Sequence, residues 1–256
     1  FEGEDLLKKS NLEMRKIRGK SIAMILQDPM TSLNPVFSVG TQVAEVVRIH
    51  QGLQGKRLWE KVYDALKLLR ISDPETRAKA YPHQMSGGMR QRIVGAMAIT
   101  CEPKILIADE PTTSLDVTIQ AQYLRLLKSI QASAGLAMIF ITHDFGIVAR
   151  MCDRVAVMYA GRIIETATTR ELFNNPAHPY TTALLHSLPK VDSSVDRLAS
   201  IEGQPPALDR LPPGCPFTPR CPRAMDVCLK AYPQTATLSD GHLVNCWLYA
   251  KEPASE

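Results

Sequence analysis

One stretch constrains the architecture of this 256-residue chain more than any other: Ile105-Leu106-Ile107-Ala108, closed by Asp109 and Glu110 and followed by Pro111. Four consecutive apolar residues are the pattern of a strand covered on both sheet faces, and such strands belong to parallel sheets flanked by helices. A strand over 104–109 therefore delivers two adjacent carboxylates at its exit. Two more apolar runs share the form. Residues 21–26 end at Gln27-Asp28-Pro29, and residues 136–142 end at His143-Asp144.

Between these runs the periodicity turns helical. Val43, Val46 and Val47 mark one helix, and Leu58, Val62, Leu66 and Leu69 mark another. Ser86 opens a third that runs to about Thr100, and Ile119, Leu124, Leu127 and Ile130 lie on or near one face of a fourth over 117–134. A short helix then leads to strands over 154–159 and 162–165, joined at Ala160-Gly161. Strands alternating with helices predict an α/β fold with a largely parallel sheet and a helical subdomain over about 38–100. Past Thr166 the composition shifts. A helical stretch around 178–188 gives way to prolines concentrated between Pro205 and Pro222, so two domains are expected, 1–165 and 166–256.

Composition removes several function classes. With 45% hydrophobic and 22% charged residues the chain reads as an ordinary globular protein. Its net charge of +4 is mild and the positive residues are scattered, which argues against a nucleic-acid face. No apolar stretch approaches the roughly 18 residues that a bilayer-spanning helix needs. The opening Phe1-Glu2-Gly3-Glu4-Asp5 has no signal-peptide character and no initiator methionine, so a fragment is expected. Cys101 and Cys152 sit in apolar surroundings and read as packing. Nothing points to export, which makes a reducing cytoplasm the expected setting.

The strand exits carry the candidate chemistry. Asp109 is placed to reach a magnesium ion, directly or through a water, while Glu110 points elsewhere and can polarise an attacking water. Met85-Ser86-Gly87-Gly88-Met89-Arg90-Gln91-Arg92 has the logic of an anion grip. Ser86 caps a helix, the glycines let backbone N–H groups approach a phosphate, and the positive end of the helix dipole faces it. His143 can hydrogen-bond a γ-phosphate or hold Glu110 and its water, and Gln27 can put its amide oxygen on magnesium. Each feature alone also has a plainer reading: a polar turn, an ordinary cap, a solvent-facing histidine.

Taken in order from Gln27 to His143, these blocks resemble the nucleotide-binding subunits of ABC ATPases, P-loop NTPases with a RecA-like core. More narrowly, residues 27–35, 81–92 and 158–162 resemble the oligopeptide and dipeptide importer branch, as do His178-Pro179-Tyr180 and the cysteine-containing C-terminal extension. Nickel importers share much of this pattern. The resemblance implies ATP hydrolysis with Mg2+ that energises peptide import at the cytoplasmic face of the cell membrane. It also implies partners: a second ATPase subunit, homologous or identical, two transmembrane permease subunits and an extracytoplasmic substrate-binding protein, with no nucleic acid. On it Gln27 is the Q-loop residue, Asp109 the magnesium-associated carboxylate and Glu110 the catalytic one. Ser86, Gly87 and Gly88 close in trans over ATP held by the opposite subunit, Ser114-Leu115-Asp116 forms the D-loop, and His143 is the switch.

One departure is serious. No Gly-x-x-x-x-Gly-Lys-Ser/Thr occurs, and Gly52-Leu53-Gln54-Gly55-Lys56 has the wrong spacing and no hydroxyl after the lysine. Lacking that cradle for the β- and γ-phosphates, the chain as given is expected not to hold ATP in its own site, although its signature can still close a partner's. A non-hydrolytic partner or regulatory half-site is the alternative.

Cys215, Cys221, Cys228 and Cys246 form a separate group, separated by five, six and seventeen residues. Structural zinc sites usually pair cysteines two to four apart, which this spacing does not match. Four thiolates also suit a [4Fe–4S] cluster, to which the resemblance points. Two disulfides or free thiols remain open. Without a bound group the proline-rich tail is expected to be poorly ordered.

Overall fold

The computed structural model describes residues 1–113, 115–188 and 200–250. They form two compact units, Phe1–Phe145 and Gly146–Glu256.

The first unit runs α1 (Asn11–Ile17), β1 (Ile22–Ile25), α2 (Pro29–Ser32), α3 (Val39–Gln51), α4 (Gly55–Leu68), α5 (Pro74–Lys79), α6 (Gly87–Ile99), β2 (Ile105–Asp109), α7 (Val117–Ala134) and β3 (Ala137–Ile141). The strands form a parallel sheet in the order β1-β2-β3, with Ile25 opposite Ala108 and Asp109 opposite Ile141. Local chemistry sets the helix limits. Ser38, Ser86 and Asp116 each cap a helix by accepting a backbone N–H, and α3 and α7 stop at Gly52 and Gly135 in the left-handed conformation. Helices α3, α4, α5 and α6 pack on one another as the helical subdomain expected over 38–100, burying Val43, Val47, Leu58, Val62, Leu66 and Ile93.

One expectation fails here. The apolar run of β2 predicted a sheet covered on both faces, yet burial alternates along the strands. Ala23, Ile25, Leu106 and Ala108 are buried on the side where α6 packs, whereas Met24 and Ile139 of the other face are 42% and 52% exposed. The described helices cover one face only.

The second unit contains α8 (Phe145–Met151, beginning at the junction), β4 (Arg154–Tyr159), β5 (Arg162–Thr168), α9 (Thr169–Asn174), α10 (Pro179–His186), α11 (Asp226–Lys230), β6 (Ala236–Ser239) and β7 (His242–Val244). Its sheet is antiparallel, ordered β4-β5-β7-β6. Alternation of strands and helices predicted a largely parallel sheet, but Ala160 and Gly161 both adopt positive φ, 48° and 76°, as a two-residue hairpin requires. A two-residue connection can only join antiparallel neighbours. The tail also folds more than its composition suggested. β7 pairs with β5, and Phe217 sits in one core with Val157, Tyr159, Ile164, Ala167 and Leu172. Strands on both sides of residue 166 thus share a sheet, and the compact units divide at 145/146, where the composition shows no break.

A buried carboxylate holds this unit together. Glu165 accepts backbone N–H bonds from Ala177 (2.7 Å) and His178 (2.9 Å), and its Oε1 lies 2.9 Å from His242 Nε2. Among the described residues no helix is long and apolar enough to cross a membrane.

Candidate functional site

Parallel strands end on the same side of their sheet, so residues just past their C-terminal ends converge. Continuing the β1–β2 register two residues past Ile25 and Ala108 sets Gln27 beside Glu110, and His143 follows two residues after Ile141. The contacts follow from that register. Gln27 Nε2 donates to Glu110 Oε2 at 2.7 Å, and His143 Nδ1 lies 2.9 Å from Glu110 Oε1. An ionised carboxylate only accepts, so His143 carries its proton on Nδ1 and leaves Nε2 open, on a side chain that is 78% exposed.

Thr113 adds a third donor, its hydroxyl 3.0 Å from Glu110 Oε2. Hydrogen bonds from His143 and Thr113 hold the Glu110 carboxyl below the ordinary glutamate range. Glu110 also adopts φ of 42°, a conformation a non-glycine residue takes only where its surroundings impose it, and its N–H is tied to Ile141 O at 2.8 Å. The carboxylate is therefore ionised, oriented by three side chains and fixed on a strained turn. The side chain of Asp109, the last residue of β2, makes no hydrogen bond or ion pair among the described residues, which suits an oxygen ligand for a hard cation.

The other candidates lie elsewhere. Ser86 caps α6, its hydroxyl accepting Met89 N–H at 3.3 Å; Ser86 and Gly87 are exposed, and a side chain added at Gly87 would meet nothing within 4 Å. The Ser86–Gly87 end of α6 is thus open to solvent, and among the described residues no hydrogen bond joins it to Gln27, Glu110 or His143. Asp116 accepts Ile119 N–H at 3.0 Å as the cap of α7. Ser114 lies outside the described residues. Sequence reasoning missed Thr113 as a partner of Glu110; its position three residues on, in a tight turn after Pro111, was the available signal.

In the second unit Cys215, Cys221, Cys228 and Cys246 line one cavity with Phe217 and Trp247. All four are free thiols, so no disulfide joins them. Their carriers are laced by the backbone: Cys215 N donates to Cys228 O at 2.8 Å, and the Thr218 hydroxyl donates to Cys215 O at 2.7 Å. Burial raises the thiols of Cys215 and Cys221 and pushes Cys246 up to about 11. Among the described residues no three His, Cys, Asp or Glu side chains are arranged to hold a single metal ion.

A parallel core with these strand exits is the fold of ATP-binding cassettes. A dimeric cassette solved in a post-hydrolysis state with ADP and phosphate superimposes with a TM-score of 0.59 over 66% of this chain and 72% of its own, a likeness of fold at 24% identity. CbiO1 from Clostridium perfringens, part of an ABC transporter complex, matches at 32% identity with a TM-score of 0.55, covering 64% of this chain and 62% of its own. The ABC transporter family model matches residues 1–113, and that of the oligopeptide/dipeptide transporter C-terminal region matches 164–228. The dipeptide transport ATP-binding protein DppD of Bacillus subtilis is 54% identical over 97% of this chain and 74% of its own length. The oligopeptide transport ATP-binding protein AppD of the same organism is 47% identical over 100% and 78%. The chain belongs to the ATP-binding proteins of peptide ABC transporters.

Proposed function

We propose that this chain is the ATP-hydrolysing subunit of a peptide importer and that Glu110 is its general base. The observation that carries the reading is the convergence of Gln27, Thr113 and His143 on one ionised carboxylate at the exits of three parallel strands. An ionised Glu110 takes a proton from water as it attacks the γ-phosphate, and His143, through its open Nε2, reaches the phosphate while Nδ1 keeps the carboxylate in place. Asp109, and Gln27 through the amide oxygen that faces away from Glu110, would hold magnesium, which when bound neutralises charge on the β- and γ-phosphates. Exposed Ser86 and Gly87, with half-buried Gly88 behind them, suit a grip offered to a nucleotide on a second ATPase subunit, with Asp116 at the same interface. Two transmembrane permease subunits and an extracytoplasmic substrate-binding protein complete the importer, with this subunit at the cytoplasmic face of the membrane. The 256 residues alone lack a phosphate cradle and are expected to hold no ATP by themselves.

The cysteine cavity fits an iron–sulfur cluster better than zinc. Four free thiols line one apolar cavity, and their spacing does not match the closely paired cysteines of structural zinc sites. A [4Fe–4S] cluster held by Cys215, Cys221, Cys228 and Cys246 would cross-link the tail. The match of the transporter C-terminal-region family model to residues 164–228 supports an extension that begins near residue 166.

The test is peptide uptake and ATP hydrolysis by the assembled transporter carrying the full-length subunit with Glu110→Gln. Both should be lost while ATP binding persists. Retained hydrolysis sinks the assignment of Glu110.

A further inference from the structure

Two side chains of α7 lie against glycines of α6 at positions where no other residue would fit. A Cβ added at Gly88 would stand 2.8 Å from Ile119 Cγ2, and one added at Gly95 would stand 2.7 Å from the Tyr123 hydroxyl. Gly88 and Gly95 are two turns apart on α6, and Ile119 and Tyr123 are one turn apart on α7, so the helices are pinned at two points. Tyr123 is fully buried, its hydroxyl 3.5 Å from Gln91 O. Ile119 is β-branched, which leaves it one strongly preferred rotamer in a helix and no easy way to swing aside.

From α7 the contacts continue to the carboxylate. Gln120 Nε2 donates to Thr112 Oγ1 at 3.2 Å, and neighbouring Thr113 donates to Glu110 through its hydroxyl at 3.0 Å. A displacement of the Ser86 end of α6 must therefore be shared by Ile119, Gln120 and the turn that carries Glu110, because close-packed interiors transmit strain.

We propose that Ile119 and Gln120 are positioning residues that tie the Ser86–Gly88 end of α6 to Glu110 of the same chain. Closure of that end on a nucleotide held by the partner ATPase then sets Glu110 over the nucleotide in its own site. The proposal rests on the ATPase reading above. The two ends of the seam serve different nucleotides, so it couples the two sites of an ATPase pair.

The test compares Ile119→Ala, Gln120→Ala and Ile119→Val in the assembled transporter with the full-length subunit, measuring hydrolysis against ATP concentration. Both alanine variants should lower kcat about 3- to 10-fold, the scale of one lost hydrogen bond or packing contact, and move the Hill coefficient toward 1. KM for ATP should stay within about twofold, since neither residue touches nucleotide in this arrangement. Ile119→Val keeps the Cγ2 contact and should restore wild-type kinetics. The double alanine variant should fall no further than the worse single one, because both break one path. Wild-type kcat and Hill coefficient in Gln120→Ala, or strict additivity, overturns the proposal. Should Ile119→Ala not fold, Gln120→Ala carries the test alone, since alanine favours the helix. Glu110→Gln run alongside separates the failures. An active Glu110→Gln sinks the site itself; an inactive Glu110→Gln beside a wild-type-like Gln120→Ala sinks only the coupling.

Discussion

His178 makes the stability of the second unit depend on pH in a way that can be measured. Its Nδ1 accepts Tyr180 N–H at 3.0 Å as the cap of α10, and the residue is 1% exposed, beside the Phe217 ring. Burial disfavours the imidazolium and lowers its pKa from 6.5 to about 4, against a smaller opposing pull from Glu165. Between those two values the unfolded chain holds a proton that the folded chain refuses. Stability therefore rises with pH across this window, is complete above 6.5, and is lost as pH falls toward 4. At about 1.4 kcal/mol per pH unit the full separation corresponds to about 3 kcal/mol, of which about 2 is gone by pH 5.

His178→Asn isolates the effect, since an asparagine oxygen can cap the helix and does not titrate. The chain has two tryptophans, Trp59 in the first unit and Trp247 in the second, so a Trp59→Phe background makes fluorescence report the second unit alone. Urea unfolding at pH 7.5 and pH 5 gives the free energies. The advantage of the wild type over His178→Asn should shrink by about 2 kcal/mol on acidification. A difference that stays flat within about 0.5 kcal/mol, or one that grows in acid, refutes the claim that a neutral imidazole is built into the fold.

Other outcomes follow from the same contacts. Glu110→Gln should slow hydrolysis by about 10²- to 10⁴-fold, the usual share of a general base, measured by phosphate release from the assembled transporter. The hydrogen bond from His143 is the largest influence lowering the Glu110 pKa, so His143→Ala should move the acid limb of the pH–rate profile upward, toward the ordinary value of 4.5. Gln91→Leu should be neutral or stabilising by about 1 kcal/mol in urea unfolding, because Gln91 is buried with both amide atoms unpartnered and an apolar isostere removes that desolvation cost. Cys246→Ala should abolish iron–sulfur absorbance in anaerobically prepared protein. With the Cys246 thiol protonated up to about 11, reconstitution in weak buffer should release protons and proceed better at higher pH.

What could be read in the sequence, and what could not, divides along the range of the interactions. Gln27, Glu110 and His143 were legible because each follows an apolar run, and parallel pairing then brings strand exits together without further information. Ser86 was legible as a cap because capping is local, decided within three residues. The antiparallel second sheet was hidden. β6 and β7 are four and three residues long, too short to show an alternation, and only their pairing with β5 makes them strands. The same holds for Glu165. In the sequence it is one more charge at the end of a strand, yet folding buries it completely and spends it on two backbone amides and a histidine drawn from 177, 178 and 242. No pattern of neighbours along the chain reveals that assignment, because its donors meet only after β5, β7 and α10 are in place. A buried carboxylate needs every one of those donors, so Glu165 marks where the tail ceases to be an appendage and becomes part of the folded unit.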